Sequence, residues 1–203
     1  MKRAELDVPS MPRRNGRPAK SASGSPLIDW LHDPDTERGF HFCDEDGWSL
    51  ETYEELAWAV REAAHRIEQV RSVQDQIVAL VLADSREFVA AFLGTILAGG
   101  TPCPLVPPFY FRDPDDYARH TSFVLAASDP AVIVTDELCW SSVREAALRT
   151  GDERNPLRFE LTGERIEFSP RPRAPLGLLQ FTSGSSGTPR GVQVTLEALA
   201  GNA

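Results

Sequence analysis

Apolar positions change period along the chain, and each period predicts an element. Leu56, Val60, Ala63, Ala64, Ile67 and Val70 recur at intervals of three and four, which lines one side of a helix. That helix has a defined start at Thr52-Tyr53-Glu54-Glu55. The Thr52 hydroxyl accepts from the Glu55 amide while the Glu55 carboxylate reaches back, a capping box. Residues 76–82 (QIVALVL) are short, unbroken and β-branched, the pattern of a strand buried on both faces. A wide apolar arc follows, with Phe88, Phe92 and Ile96 beside Val89, Leu93 and Leu97. Asp84 and Glu87 stand at its start, and Gly99-Gly100 stops it. Residues 101–106 predict another strand. Asp113-Pro114-Asp115-Asp116 predicts a helix start, with an Asp cap, Pro in the first turn and acids near the positive end of the dipole. That helix runs to about Ser128 with Tyr117, Thr121, Val124 and Leu125 inward.

Residues 131–135 (AVIVT) predict a buried strand, and a helix follows over Glu137–Arg149. Earlier, residues 40–43 predict a short strand and 44–47 an acidic turn. Residues 157–161 and 165–168 flank Thr162-Gly163 and predict a hairpin. Residues 176–181 (LGLLQF) predict a last apolar strand, and 191–194 a further β-rich run. Strands alternating with helices predict an α/β fold whose mostly parallel sheet is flanked by helices.

No charged residue occurs from position 88 to position 111, a span long enough to raise the question of a membrane helix. Gly99, Gly100, Pro102, Pro104, Pro107 and Pro108 divide it, so it reads as helix, turn and strand, with no membrane span. Residues 1–26 form a zone of their own. Lys2, Arg3, Arg13, Arg14, Arg17 and Lys20 sit among Pro, Gly and Ser against only Glu5 and Asp7. The zone carries +4 and the remainder −13 of the net −9. We expect a disordered basic leader over 1–26 and a folded unit over 27–203; docking of the leader to an anionic surface is the sharper alternative. A net charge of −9 argues against a nucleic-acid-binding body, which needs clustered cations. Cys43, Cys103 and Cys139 are odd in number and far apart, as expected of reduced thiols in a cytoplasmic protein. His32, His41, His65 and His120 lack metal-ligand spacing, and the acids at 44–46 lack the later ligands of a calcium loop, so no metal ligands are expected.

The densest chemistry lies in Thr182-Ser183-Gly184-Ser185-Ser186-Gly187-Thr188-Pro189-Arg190-Gly191. Glycines admit close approach of backbone amides, and successive amides form an anion-binding nest. The hydroxyls add donors, and Arg190 adds a fixed cation suited to phosphate oxygens. The loop has no acid, so a polyphosphate is its natural guest. A flexible linker has a similar composition. A linker, however, is not usually set between a buried strand and a second β-rich run. No Lys-Ser or Lys-Thr pair follows a glycine, so this is not a Walker loop.

The run LQFTSGSSGTPRGV resembles the phosphate-binding signature of the adenylate-forming enzymes, whose usual form is Thr-Ser-Gly-Ser/Thr-Thr-Gly-x-Pro-Lys-Gly after an apolar strand. The superfamily holds acyl-CoA synthetases, fatty-acyl-AMP ligases, luciferases and peptide-synthetase adenylation domains. The likeness extends over most of residues 40–203. Asp46-Gly47 and Thr52-Tyr53-Glu54-Glu55-Leu56 resemble the family's opening strand and helix, and 77–108 and 129–135 resemble the segments that follow. The chain departs in Ser186 for Thr, Arg190 for Lys, and Leu196 where many members have a polar residue. Pro107-Pro108 and the spacing to Asp129-Pro130-Ala131 lean toward fatty-acyl-AMP ligases and polyketide-loading enzymes, with acyl-CoA synthetases next and peptide-synthetase domains after them.

The resemblance implies that a carboxylic acid, a fatty acid above all, attacks the α-phosphorus of ATP, with Mg²⁺, giving an acyl-adenylate and pyrophosphate. The acyl group then passes to CoA or an acyl carrier protein. It further implies that Thr182, Ser183, Gly184, Ser185, Ser186, Gly187, Thr188 and Arg190 hold the β- and γ-phosphates. The adenine and ribose contacts, the metal-holding glutamate and the lid lysine of the family have no counterparts within these 203 residues. No catalytic residue is assigned. We expect the N-terminal portion of such an enzyme, inactive alone and of weak stability, completed by further sequence or by a partner chain. The rival reading is a non-catalytic paralogue or scaffold module that keeps the phosphate loop.

Overall fold

A computed structural model describes residues 26–44, 47–83, 85–172, 174–182 and 189–201. A short helix α1 (Pro26–Asp29) precedes an antiparallel hairpin, β1 (Gly39–Asp44) with β2 (Gly47–Thr52). Helix α2 (Tyr53–Val70), strand β3 (Ile77–Val81), helix α3 (Ser85–Leu97) and strand β4 (Thr101–Pro104) follow. Then come α4 (Pro114–Ser128), β5 (Val132–Thr135), α5 (Glu137–Arg149) and the two-residue β6 (Leu157–Arg158). The described chain closes with β7 (Leu176–Thr182), β8 (Arg190–Thr195) and α6 (Leu196–Ala200).

Strands β4, β3, β5 and β6 form, in that order, a parallel sheet. Alternation along each strand sends successive side chains to opposite faces. Val78, Leu80, Val132 and Val134 turn to a core shared with α2 and α3. Ala79, Val81 and Ile133 turn to a second core shared with Cys139, Val143, Ala146 and Ala147 of α5. Both faces of β3 are thus covered, which is why its sequence is a continuous apolar run. Each large side chain so buried is worth about 1.5–3 kcal/mol relative to exposure. Helices α2 and α3 pack closely because Gly94 lacks a side chain; a Cβ there would lie 2.9 Å from the Ala63 Cβ and from the Ala64 nitrogen.

The Thr52–Glu55 capping box forms: the Glu55 amide donates to the Thr52 hydroxyl (3.2 Å), and the Thr52 amide donates to the Glu55 carboxylate (2.8 Å). Asp113 caps α4 through the Asp115 amide at 2.8 Å. Tyr117, Thr121, Val124 and Leu125 point inward as expected, and α5 spans Glu137–Arg149 as expected.

Four expectations differ from the structure. Val70, placed inward by periodicity, is 52% exposed at the last turn of α2. The strand expected over 101–106 stops at Pro104. Residues 47–52 form a strand, β2, where no element was expected beyond the turn at 44–47. The hairpin expected across Thr162-Gly163 does not form. Leu157 and Arg158 pair in parallel with Val134 and Thr135, while 159–172 runs as an irregular strap whose Thr162 and Gly163 amides bond Glu62 rather than an opposing strand. The expected leader over 1–26, the acids at 45–46 and the Asp84 cap fall, apart from the Pro26 backbone, outside the described residues. No helix among the described residues is long and apolar enough to cross a membrane.

Candidate functional site

The prolines of β4 decide how the last hairpin is attached. Thr101 and Leu105 donate their amides to Gln76 and Leu80, so odd-numbered amides on this strand face β3. Pro102 and Pro104 therefore lie on the other edge, where each lacks an N–H. Strand β7 approaches that edge but pairs with β8 instead, in a separate antiparallel sheet. Its seat is made of side chains. Cys103, Val124 and Leu179 form a buried cluster joined by Ile77, Leu105 and Phe181, and the Thr101 hydroxyl donates to the Leu176 carbonyl at 3.3 Å. Leu176 lies by Thr101 and Leu179 by Cys103, so β7 runs in the direction of β4. Thr182 therefore ends at the carboxyl edge of the parallel sheet. In open α/β sheets this edge is where ligands bind.

At that edge Thr182 and Arg190 are register partners, the last and first residues of β7 and β8. Both are exposed, and the Thr182 hydroxyl donates to the Arg190 carbonyl at 3.5 Å. Arg190 makes no ion pair with a described residue. Thr182 and Arg190 thus stand together across the root of the loop. The other residues expected there, Ser183, Gly184, Ser185, Ser186, Gly187 and Thr188, lie outside the described residues.

The neighbouring parts of the edge differ in charge. Asp136, 8% exposed, caps α5 by accepting from the Cys139 amide at 2.8 Å, and its second oxygen accepts from the Ala83 amide just beyond β3. One carboxylate thus ties two strand ends together. The sequence signal was available, since Thr135-Asp136-Glu137 is a helix start, but the reach to Ala83 is long-range. A cavity of about 430 Å³ beside it is lined by Glu87, Asp136, Glu137 and Glu160, an acidic wall that suits no polyphosphate. Burial pushes the thiols of Cys103 and Cys139 and the phenol of Tyr117 up to about 12. All three stay protonated at neutral pH, which removes them from thiolate or acid–base chemistry. Burial lowers His120. Among the described residues no group of three His, Cys, Asp or Glu is arranged to hold a metal ion.

The family model described as AMP-binding enzyme matches residues 35–203, which includes the whole parallel sheet and both strands flanking the loop. The chain belongs to the AMP-binding enzyme family. It is 30% identical over 178 residues to FadD21 of Mycobacterium tuberculosis, whose name places it with the fatty-acid–CoA ligases; the match covers 82% of this chain and 30% of that protein. It is 29% identical over 201 residues to 4-hydroxyphenylalkanoate adenylyltransferase of Mycobacterium marinum, covering 90% of this chain and 32% of that one. Among solved structures, one from a study of fatty acyl-adenylate ligases from E. coli and L. pneumophila superposes with a TM-score of 0.71 at 26% identity, over 88% of this chain and 33% of the other. The chain thus spans about a third of the length of these relatives.

Proposed function

We propose that this chain supplies the phosphate-gripping part of an enzyme that joins a carboxylic acid to ATP, of the fatty-acyl-AMP or fatty-acyl-CoA ligase type. One observation carries the reading: Arg190, exposed and with no ion-pair partner among the described residues, is the register partner of Thr182 across the root of a donor-rich, acid-free loop. In the reaction a carboxylate oxygen bonds to the α-phosphorus, and the bond to the bridging oxygen breaks, releasing pyrophosphate. Charge develops on that leaving group. A planar guanidinium beside it stabilises the leaving group without taking up a proton. The hydroxyls of Ser183, Ser185, Ser186 and Thr188 donate to phosphate oxygens, Thr182 holds the root of the loop, and Gly184 and Gly187 let the backbone amides come close. The acyl group then passes to a thiol of CoA or a carrier protein, in cytoplasmic surroundings. Among the described residues no group of three His, Cys, Asp or Glu could hold a metal ion, and Mg²⁺ would come with the nucleotide, held by its phosphate oxygens, water and one or two carboxylates.

The adenylation itself needs groups beyond those of residues 27–203, so the isolated chain binds ATP without releasing pyrophosphate. Calorimetric titration with ATP tests the grip. Arg190→Ala is expected to weaken binding on the order of tenfold to a hundredfold, the scale of a lost charge-assisted contact, with unchanged melting. Equal affinity in the two proteins contradicts the reading.

A further inference from the structure

The strap 159–172 belongs to no helix or strand, yet it is anchored at both ends. Buried Phe159 donates its amide to the Thr135 carbonyl at 2.8 Å, and Arg66 donates to the Glu160 carbonyl. The Leu161 amide donates to Glu87 at 3.1 Å. Thr162 donates both its amide and its hydroxyl to Oε1 of Glu62, each at 2.8 Å, and the Gly163 amide donates to Oε2 at 3.1 Å. At the far end the Arg171 amide donates to the Leu97 carbonyl at 2.9 Å, and Gln74 donates to the Pro172 carbonyl at 2.9 Å. Leu161 and Phe168 pack on the main core between these fastenings.

Glu62 stands apart from the other anchors. It sits in the middle of α2 and is 1% exposed. A buried carboxylate is tolerated only where its oxygens are hydrogen-bonded or paired. Here three donors come from the strap and a fourth group, Arg66, lies at 3.5 Å. Lifting the strap would strip Glu62 of three of its four partners and leave Arg66 alone, so strap and carboxylate hold each other in place. A second observation extends the consequence. The strap precedes β7 by three residues, and β7 has no backbone ladder to β4, because Pro102 and Pro104 remove the donors from that edge. The position of the loop-bearing hairpin depends on a small apolar patch, the Thr101–Leu176 bond, Leu196 and Leu199 of α6 in the main core, and the strap that precedes it.

We propose that Glu62 is a latch: it holds the strap closed over α2 and α3, and the closed strap seats the β7–β8 hairpin. Release at Glu62 frees strap and hairpin together while the parallel sheet stays shut. Glu62 is a positioning residue, and the proposal does not depend on what the loop binds.

Hydrogen exchange on the full 203-residue chain, read segment by segment, tests it. In Glu62→Ala, amides of 161–163 and 176–182 are expected to exchange on the order of tenfold faster or more, while 77–81 and 132–135 keep their protection. Glu62→Gln should give a smaller change, because one carbonyl oxygen can still serve Thr162 while its NH₂ meets the Gly163 amide. Thr162→Val, which removes only the hydroxyl, should give the smallest. If Glu62→Ala does not fold, the other two variants carry the same comparison. Acceleration that reaches 77–81 and 132–135 equally marks general destabilisation and overturns the proposal. So does acceleration confined to 161–163, or no acceleration at all.

Discussion

The central strands and the terminal hairpin meet water in opposite ways. Strand β3 is buried on both faces and laddered on both edges, to β4 and to β5. Strand β8 is exposed along nearly its whole length and is paired on one edge, to β7. The scaffold is fixed by area removed from water and by a continuous ladder. The hairpin is fixed by one small apolar cluster, a side-chain bond, the α6 leucines and the strap bonded to Glu62. Regions that must admit a ligand are drawn from the less stable end of a structure, as the role proposed for this hairpin requires.

That contrast is open to direct attack. The largest loss should come from the scaffold. Leu80→Ala removes a fully buried side chain between β3 and the α2–α3 layer, and about 2–5 kcal/mol of stability should be lost in urea unfolding. On the hairpin, Val192→Ala should change stability by less than about 0.5 kcal/mol, since Val192 is 46% exposed. Similar losses at the two sites would erase the distinction. Next in size is Gly94→Ala. A new Cβ 2.9 Å from Ala63 and Ala64 should push α2 and α3 apart at a cost of about 1–3 kcal/mol, read in the same assay. Thr52→Ala removes the cap of α2, and a loss of about 1 kcal/mol is expected.

The smallest effect depends on pH. The Thr52 amide, and then its hydroxyl, hold the Glu55 carboxyl below its ordinary value. A folded value below the unfolded one means that the stability Glu55 adds is complete above the unfolded carboxylate range. It is lost as pH falls through the folded value. Urea midpoints of the wild-type protein and Thr52→Ala should therefore draw closer without meeting as the solution is acidified through that range, because the variant keeps the amide at position 52 and loses only the hydroxyl. A constant gap would show that the cap acts without the Glu55 charge.

Local order was legible in the sequence because its causes are local. The capping box, the Asp113 start of α4 and the doubly apolar β3 each declare themselves within a few residues. Strand β2 was missed because GWSLET mixes polarities and its outer residues, Trp48 and Leu50, are exposed. The strap was misread for a different reason. Thr162-Gly163 does bend the chain, with Gly163 at φ +78°, but its amides are claimed by a carboxylate a hundred positions earlier. No periodicity reports such a partner. The loop itself was the plainest feature of the sequence, since glycines, hydroxyls and one cation concentrate in ten residues. Its place at the carboxyl edge was not legible, because that follows from which strand lies beside β7. The prolines that keep β7 out of the ladder were read only as breaks in an apolar run.

The central claim is that the end of the β7–β8 hairpin grips the outer phosphates of ATP. Competition calorimetry tests it most directly, with ATP, pyrophosphate and AMP titrated into the wild-type chain and into Arg190→Ala. The account predicts that pyrophosphate displaces ATP, that AMP does not, and that Arg190→Ala weakens ATP and pyrophosphate alike. Displacement by AMP as effective as by pyrophosphate, or an Arg190→Ala protein that binds both as the wild type does, would contradict it.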